Sequence, residues 1–261
     1  MEILVCLKQV PNTTEIKIDP VTNTLKRDGV ASIINPDDKT GLEVALRLKE
    51  AHGANVTVIS MGPPQAEKAL AEALAMGADK AVLLTDRAFA GADTLATSKT
   101  IAAAIKKFDY DLIIAGRQAI DGDTAQVGPE IAEHLGIPQI TYACDVTYSE
   151  EDKTFTVKRQ FEDGYQLLQV QAPCLFTVLS TACKPRYMRV KGLVDLDKKE
   201  VQIMTRGDLE IEDAVLGLKG SPTKVKQSFN KQYNANKQKI QLDPAEAAKL
   251  IAQTLKDKHL I

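Results

Sequence analysis

No apolar run in this sequence approaches the roughly 18 residues that a membrane-spanning helix requires. There is no excess of one charge either. With 33 basic and 35 acidic residues the formal net charge is -2, so the electrostatic footprint of a nucleic-acid binder is missing. Cysteine is scarce and scattered. Cys6, Cys144, Cys174 and Cys183 make no C-x-x-C pair, and no histidine stands at a ligand-like interval from them. That argues against a structural zinc site and a disulfide framework, and leaves small buried hydrophobes as the expectation. His52, His134 and His259 are dispersed, the first two near expected helix C-termini, where an imidazole serves the helix dipole. No Ser/His/Asp or Cys/His grouping supports a hydrolase. Internal repeats are absent, as are the phosphate-binding signatures G-x-G-x-x-G and G-x-x-x-x-G-K-[ST]. The first residues, Met1-Glu2-Ile3-Leu4-Val5, lack the basic region of a signal peptide and read as a strand, so a cytoplasmic chain is expected.

What is present suffices for a substantial core: 261 residues, 44% hydrophobic. Short apolar runs at 3–7, 55–60, 80–85 and 111–115 have the composition of strands buried on both faces. Helical periodicity follows each: from Asn35-Pro36-Asp37-Asp38, with Asp37 or Asp38 as cap, to His52-Gly53; over 65–76, closed by Gly77; over 94–107; and over 128–135. This β-α alternation predicts a parallel twisted sheet with helices on both faces. Residues 16–27 read as a hairpin outside that sheet. After Asp145 the pattern changes. Strands at 153–160, 165–170 and 174–179 suggest an antiparallel extension of the sheet edge. Residues 184–197 have no clean periodicity, and 200–204 suggest a short strand. Residues 217–241 are too polar to fold alone and are expected to run over another surface. Asp243-Pro244-Ala245-Glu246 opens a last helix reaching about Lys256. The expected organisation is a nucleotide-binding α/β domain with its extension over 1–183, a loop over 184–199, and a C-terminal arm with a terminal helix over 200–261.

Ligands of such sheets bind beyond the carboxyl ends of the strands. There lies Gly116-Arg117-Gln118-Ala119-Ile120-Asp121-Gly122-Asp123-Thr124-Ala125-Gln126-Val127-Gly128, leaving a buried strand and entering a helix. Small residues admit a ligand close to the backbone, and free N–H groups at the helix entrance collect phosphate oxygens. Thr124 and Gln126 add donors and Arg117 offers charge. An ordinary β-α loop with a capping aspartate remains the plainer reading. Gly91 through Ser98 form a second small, hydroxyl-rich helix start, in which Asp93 or Thr94 serves equally as an N-cap. Ser60-Met61-Gly62-Pro63-Pro64 is a third loop on the same edge.

Several stretches resemble the beta subunit of electron-transfer flavoproteins: Val5-Cys6-Leu7-Lys8-Gln9-Val10-Pro11, Ile34-Asn35-Pro36-Asp37-Asp38, Ala73 through Asp79, the 116–128 loop, Val157 through Gly164, and Lys184-Pro185-Arg186-Tyr187. The resemblance runs through nearly the whole chain in order. It implies an adenine-nucleotide-alpha-hydrolase-like sheet, a heterodimer with an alpha subunit, and passage of electrons among flavins. Within that family, Asp121-Gly122-Asp123-Thr124-Ala125-Gln126-Val127-Gly128 and Asp86 through Thr94 resemble the electron-bifurcating branch. There the beta subunit binds FAD where simpler members bind AMP. Gly122 and Ala125 then make room for a diphosphate. The resemblance implies a hydride taken from NADH. One electron goes to ferredoxin or flavodoxin, the other through the alpha-subunit flavin to an acyl-CoA or lactate-type dehydrogenase. The cofactor-binding residues it implies, together with the loop readings, are Cys6, Leu7, Asn35, Ser60, Met61, Gly62, Thr94, Thr97, Gly116, Asp121, Gly122, Asp123, Thr124, Ala125, Gln126, Val127 and Gly128. Residues 185–199 match the family's partner-recognition loop, with Val190 and Leu193 as candidate anchors, although the Leu-Pro pair of the simple branch is missing. A free-standing nucleotide-sensing module is the reading from another class.

Overall fold

The computed structural model describes residues 1–12, 31–224 and 239–261. They fall into two compact units, Met1–Lys226 and Gln227–Ile261.

At the centre of the first unit lies β1 (Glu2–Cys6). Because side chains alternate across a strand, Ile3 and Val5 enter one core cluster while Leu4 enters the other. On one side β1 pairs in parallel with β4 (Asn55–Met61), which pairs with β5 (Lys80–Leu84). On the other it pairs with β6 (Leu112–Gly116). Helices α1 (Pro36–His52) and α2 (Glu67–Met76) supply Leu42, Leu46, Leu70 and Leu74 to the Ile3/Val5 side. Helices α3 (Thr94–Ile105) and α4 (Val127–Leu135) supply Ile101, Ile105 and Ile131 to the Leu4 side. This is the expected parallel sheet with helices on both faces. Gly53 ends α1 in the left-handed conformation, φ 66°, which glycine adopts without strain.

The strand order corrects one expectation. Residues 174–179 were expected among the antiparallel edge strands. Instead β10 (Cys174–Val178) runs parallel between β6 and β7 (Gln139–Ser149). All five of its residues are buried, and a continuous apolar run without alternation is what a strand covered on both faces requires. The antiparallel extension is the hairpin of β8 (Thr154–Gln160) and β9 (Tyr165–Gln171) on the far half of β7. β11 (Val201–Met204) closes the opposite edge, parallel to β5. The whole sheet reads β11-β5-β4-β1-β6-β10-β7-β8-β9.

A two-stranded pair, β2 (Gln9–Pro11) with β3 (Ser32–Ile34), is antiparallel. The hairpin expected at 16–27 lies outside the described residues, as does much of the polar stretch 217–241. Residues 184–197, without periodicity in sequence, form a five-residue helix α5 (Val190–Val194) and enter a single 3-10 turn, Leu196–Lys198.

In the second unit, α6 (Pro244–Asp257) begins as expected: the Asp243 carboxylate accepts the N–H groups of Ala245 at 2.9 Å and Glu246 at 3.1 Å. The helix buries none of its residues, and Leu250 and Ile251 are exposed. No helix of the described residues is long and apolar enough to cross a membrane.

Candidate functional site at the carboxyl edge of the sheet

The crossover from β1 goes to β4 on one side, while β6 takes the other. The connections therefore part between β1 and β6, leaving a crevice beyond their carboxyl ends. The first turn of α1 organises it. The Asp38 carboxylate accepts the amide of Lys8 at 2.7 Å and that of Gly116 at 3.0 Å, joining the ends of β1 and β6. Asp37 accepts the amide of Ser180, just past β10, at 2.9 Å, and its other oxygen lies 3.3 Å from Arg117 Nε. Neither aspartate caps the helix, contrary to expectation. Pro36 occupies the first helical position, which sets both acids inside the first turn, aimed at the strand ends. Arg117, expected to offer charge to a ligand, sets its Nε beside Asp37 and keeps its side chain 34% exposed.

Asn35 extends the same arrangement. It is fully buried; its amide donates to the Gln118 carbonyl at 2.8 Å and its oxygen accepts the Ile120 N–H at 3.1 Å. Lys8 Nζ lies 2.7 Å from Asp121, and Gln118 donates to Asp123 at 2.7 Å. The loop is thus held by Lys8 just past β1, by Asn35 at the N-cap of α1 and by itself. Its backbone turns on Asp123 (φ 48°) and Ala125 (φ 53°). Left-handed geometry at a residue with a Cβ costs about 1–3 kcal/mol and persists only where the surroundings impose it. Such turns aim successive N–H groups into one concavity that suits an anion.

At the loop's end, Gln126 occupies the N-cap position of α4 with no side-chain bond to the helix. The N–H groups of Val127 and Gly128 thus begin α4 without a side-chain cap, at the positive end of the helix dipole. Thr94, first residue of α3, donates to Glu130 at 3.2 Å and approaches Gln126 at 3.4 Å. Asp93 caps α3 through Ala96 and also binds Thr223, so it is structural. Thr97 lies in the next positions of α3, and among the described residues no hydrogen bond joins its side chain to the loop.

Close packing discriminates among the glycines. A Cβ on Gly116 would stand 2.1 Å from Asp38 Oδ1, and one on Gly128 2.6 Å from Thr177 Cγ2. At Gly122 an added Cβ would meet nothing within 4 Å among the described residues. The two former glycines serve the scaffold; the third leaves space outside it. At the end of β4, Ser60 is 1% exposed and its hydroxyl has no partner among the described residues. An unsatisfied buried hydroxyl is costly, and a ligand oxygen would satisfy it. Met61 and Gly62 follow, the Gly62 N–H bonded to the Leu84 carbonyl at 3.0 Å. Cys6 and Leu7 complete the edge at β1, the Leu7 N–H bonded to the Ile59 carbonyl at 2.8 Å. The structure thus gathers the sequence-derived candidates of β1, β4, β6 and α4, with Thr94, along one edge. Val190 and Leu193 stand elsewhere, on α5.

The Electron transfer flavoprotein domain matches residues 22–214 of the chain. A protein of Clostridium acetobutylicum named electron transfer flavoprotein subunit beta is 58% identical over 261 residues, covering both chains completely. The caffeyl-CoA reductase-Etf complex subunit CarD of Acetobacterium woodii is 50% identical over 264 residues, and the acryloyl-CoA reductase electron transfer subunit gamma of Anaerotignum propionicum 44% over 270, each covering both chains completely.

The chain belongs to the electron transfer flavoprotein family, among its beta subunits.

In this family member the carboxyl edge also has an unusual protonic character. Burial pushes the Asp38 carboxyl up to about 7, against the hydrogen bonds from Asn35, Lys8 and Gly116 that favour its charge. Burial, reinforced by that carboxylate, pushes the Cys6 thiol up to about 12. A thiol so held stays protonated and is not a nucleophile. Asp37 and Asp38 are the site-building residues that sequence reading assigned to the wrong task. The available signal was the position of two acids directly after Asn-Pro, inside a turn that Asn35 and Pro36 already begin.

Proposed function

We propose that this chain is the beta subunit of a heterodimeric, electron-bifurcating flavoprotein. In this reading it holds FAD at the carboxyl edge of the sheet, with NADH as hydride donor. Electrons pass singly to ferredoxin or flavodoxin and, through the FAD of an alpha subunit, to a partner dehydrogenase. The observation that carries the reading is the 121–128 loop. It has two left-handed residues, an uncapped helix start and a glycine, Gly122, with open space where a side chain would stand. These features suit a diphosphate held by backbone N–H groups. The buried, unpartnered Ser60 hydroxyl independently fits a group with acceptor oxygens.

The chain's own residues would bind and orient. Thr124, Ala125, Gln126, Val127 and Gly128 present N–H groups to the diphosphate; Thr94, Thr97 and the Gln126 amide add polar groups. Asp121 and Asp123 shape the loop through Lys8 and Gln118, and Gly116 lets it leave the strand. Cys6, Leu7, Asn35, Ser60, Met61 and Gly62 form the wall for the adenylate. The isoalloxazine, when bound, supplies the two-electron and one-electron redox chemistry; the protein supplies position and electronic tuning. No side chain here is assigned a catalytic proton transfer.

Two of these relatives are named for CoA-linked reductases, which favours an acyl-CoA type of dehydrogenase over a lactate type as partner. Residues 184–199 form the docking loop in this reading, Val190 and Leu193 its apolar anchors. Residues 200–261 form the arm, and the unburied apolar side chains of α6 suit packing on the alpha subunit. A cytoplasmic location accompanies soluble redox partners. Quantifying nucleotides released from the purified heterodimer tests the proposal. A second FAD per heterodimer is expected; AMP in its place would establish a simple electron carrier instead.

A further inference from the structure

The segment that carries Val190 and Leu193 is fastened at two separate places. The first is Arg186. Its Nε and one terminal nitrogen donate to Glu43 at 2.7 and 3.1 Å, and its terminal nitrogens donate to Glu50 at 2.6 and 3.1 Å. Its backbone N–H adds a bond to Glu43 at 3.1 Å. The two carboxylates are seven residues apart on α1, hence two turns along one face. Glu43 is buried and is also bonded by Arg47 at 3.0 Å. The charges respond accordingly. Hydrogen bonds from Arg186 and Arg189 draw the Glu50 carboxyl down to about 2. Glu43 stays below its ordinary value although burial opposes this.

The second place is α2. The Arg189 N–H donates to the Ala75 carbonyl at 3.1 Å, and Gly192 packs so closely on that carbonyl that a Cβ would stand 2.2 Å from its oxygen. Between and beyond these anchors, Tyr187 is 85% exposed and Val190 79%, with Met188, Leu193 and Val194 also exposed. Lys184 and Lys191 are exposed and make no ion pair among the described residues. Apolar side chains on a pinned backbone, with two free cations beside them, suit an apolar pocket rimmed by acidic side chains.

Resting on the functional reading above, we propose that Arg186 is the positioning residue of the docking loop. By gripping Glu43 and Glu50 it orders residues 187–194 before the dehydrogenase arrives, so that docking does not have to order them. Ordering of flexible segments is a direct cost to affinity, whereas a guanidinium fork spanning two carboxylates fixes direction as well as distance. Arg186 itself faces α1.

The test uses the flavin-loaded heterodimer with Arg186→Ala and Arg186→Lys. Amide hydrogen exchange over residues 187–194 is expected to quicken at least tenfold in Arg186→Ala, with β1 and β6 unchanged. With the dehydrogenase that co-purifies with the native complex, KM for that protein is expected to rise about tenfold, while kcat at saturation and flavin content hold. Arg186→Lys, which keeps the charge and loses the double fork, is expected between the two. Unchanged exchange overturns the proposal, as does faster exchange with an unchanged KM. A parallel loss of kcat and flavin would overturn it in favour of a general structural role. AMP in place of the second FAD in the wild type would remove bifurcation and leave the exchange and KM comparison to decide the clamp.

Discussion

Asp38 Oδ1 accepts the Gly116 N–H at 3.0 Å, and the space a Gly116 side chain would need is the space that oxygen fills. A carboxylate and a glycine are here two halves of one joint. Gly116→Ala should therefore force Asp38 aside, costing about 1–3 kcal/mol by overpacking. The expected outcome is a lower urea midpoint with loss of nucleotide from the purified subunit. A variant of wild-type stability would show that the joint yields freely.

The same carboxyl sets a pH dependence. Its folded value of about 7 stands above its ordinary 3.8, so the folded chain holds this proton more tightly than the unfolded chain. The contribution to stability is fully present below about pH 4 and is lost as pH rises towards 7. Asp38→Asn should flatten that fall in urea titrations between pH 4 and 7. It should also lower stability throughout by about 1–3 kcal/mol, because Lys8 and Gly116 donate to different carboxylate oxygens and the amide NH2 would face one of those N–H groups. A slope unchanged by the substitution would assign the titration to another group.

Gly122 offers a cleaner separation of ligand from fold. Since its Cβ would meet nothing, Gly122→Asp should leave stability within about 0.5 kcal/mol yet reduce FAD bound to the beta site severalfold, by charge and bulk against the diphosphate. Flavin content measured by absorbance after gel filtration decides this; full occupancy would place the diphosphate elsewhere.

Ser60→Ala removes a buried hydroxyl that has no partner among the described residues. The ligand-free subunit should be as stable as before or more so by about 1 kcal/mol, while affinity for the nucleotide falls. If both properties stay unchanged, the Ser60 oxygen has no part in binding.

Much of this architecture was legible. Strands β1, β4, β5 and β6 announced themselves by apolar runs, and α6 by Asp243 and Pro244 at its start. β10 was legible as a strand but not in its place, because insertion between β6 and β7 is decided by pairing partners distant in sequence. The site was legible as loops on one edge, since any parallel sheet puts them there. The tasks of Asp37 and Asp38 were not, because an acid at a helix start reads as a cap until the neighbouring strand ends are seen. Likewise Arg186 stood in a segment without periodicity; only folding brings Glu43 and Glu50 to it.

The contrast among Gly116, Gly128 and Gly122 bears on how such proteins diverge. Two of these glycines are welded to the scaffold, and exchanging them would demand changes in neighbouring elements. The third borders only the place where the ligand would stand. If the proposed ligand stands there, a lineage can alter position 122 in one mutational step that folding does not oppose. Selection on that position would then act through what the site binds.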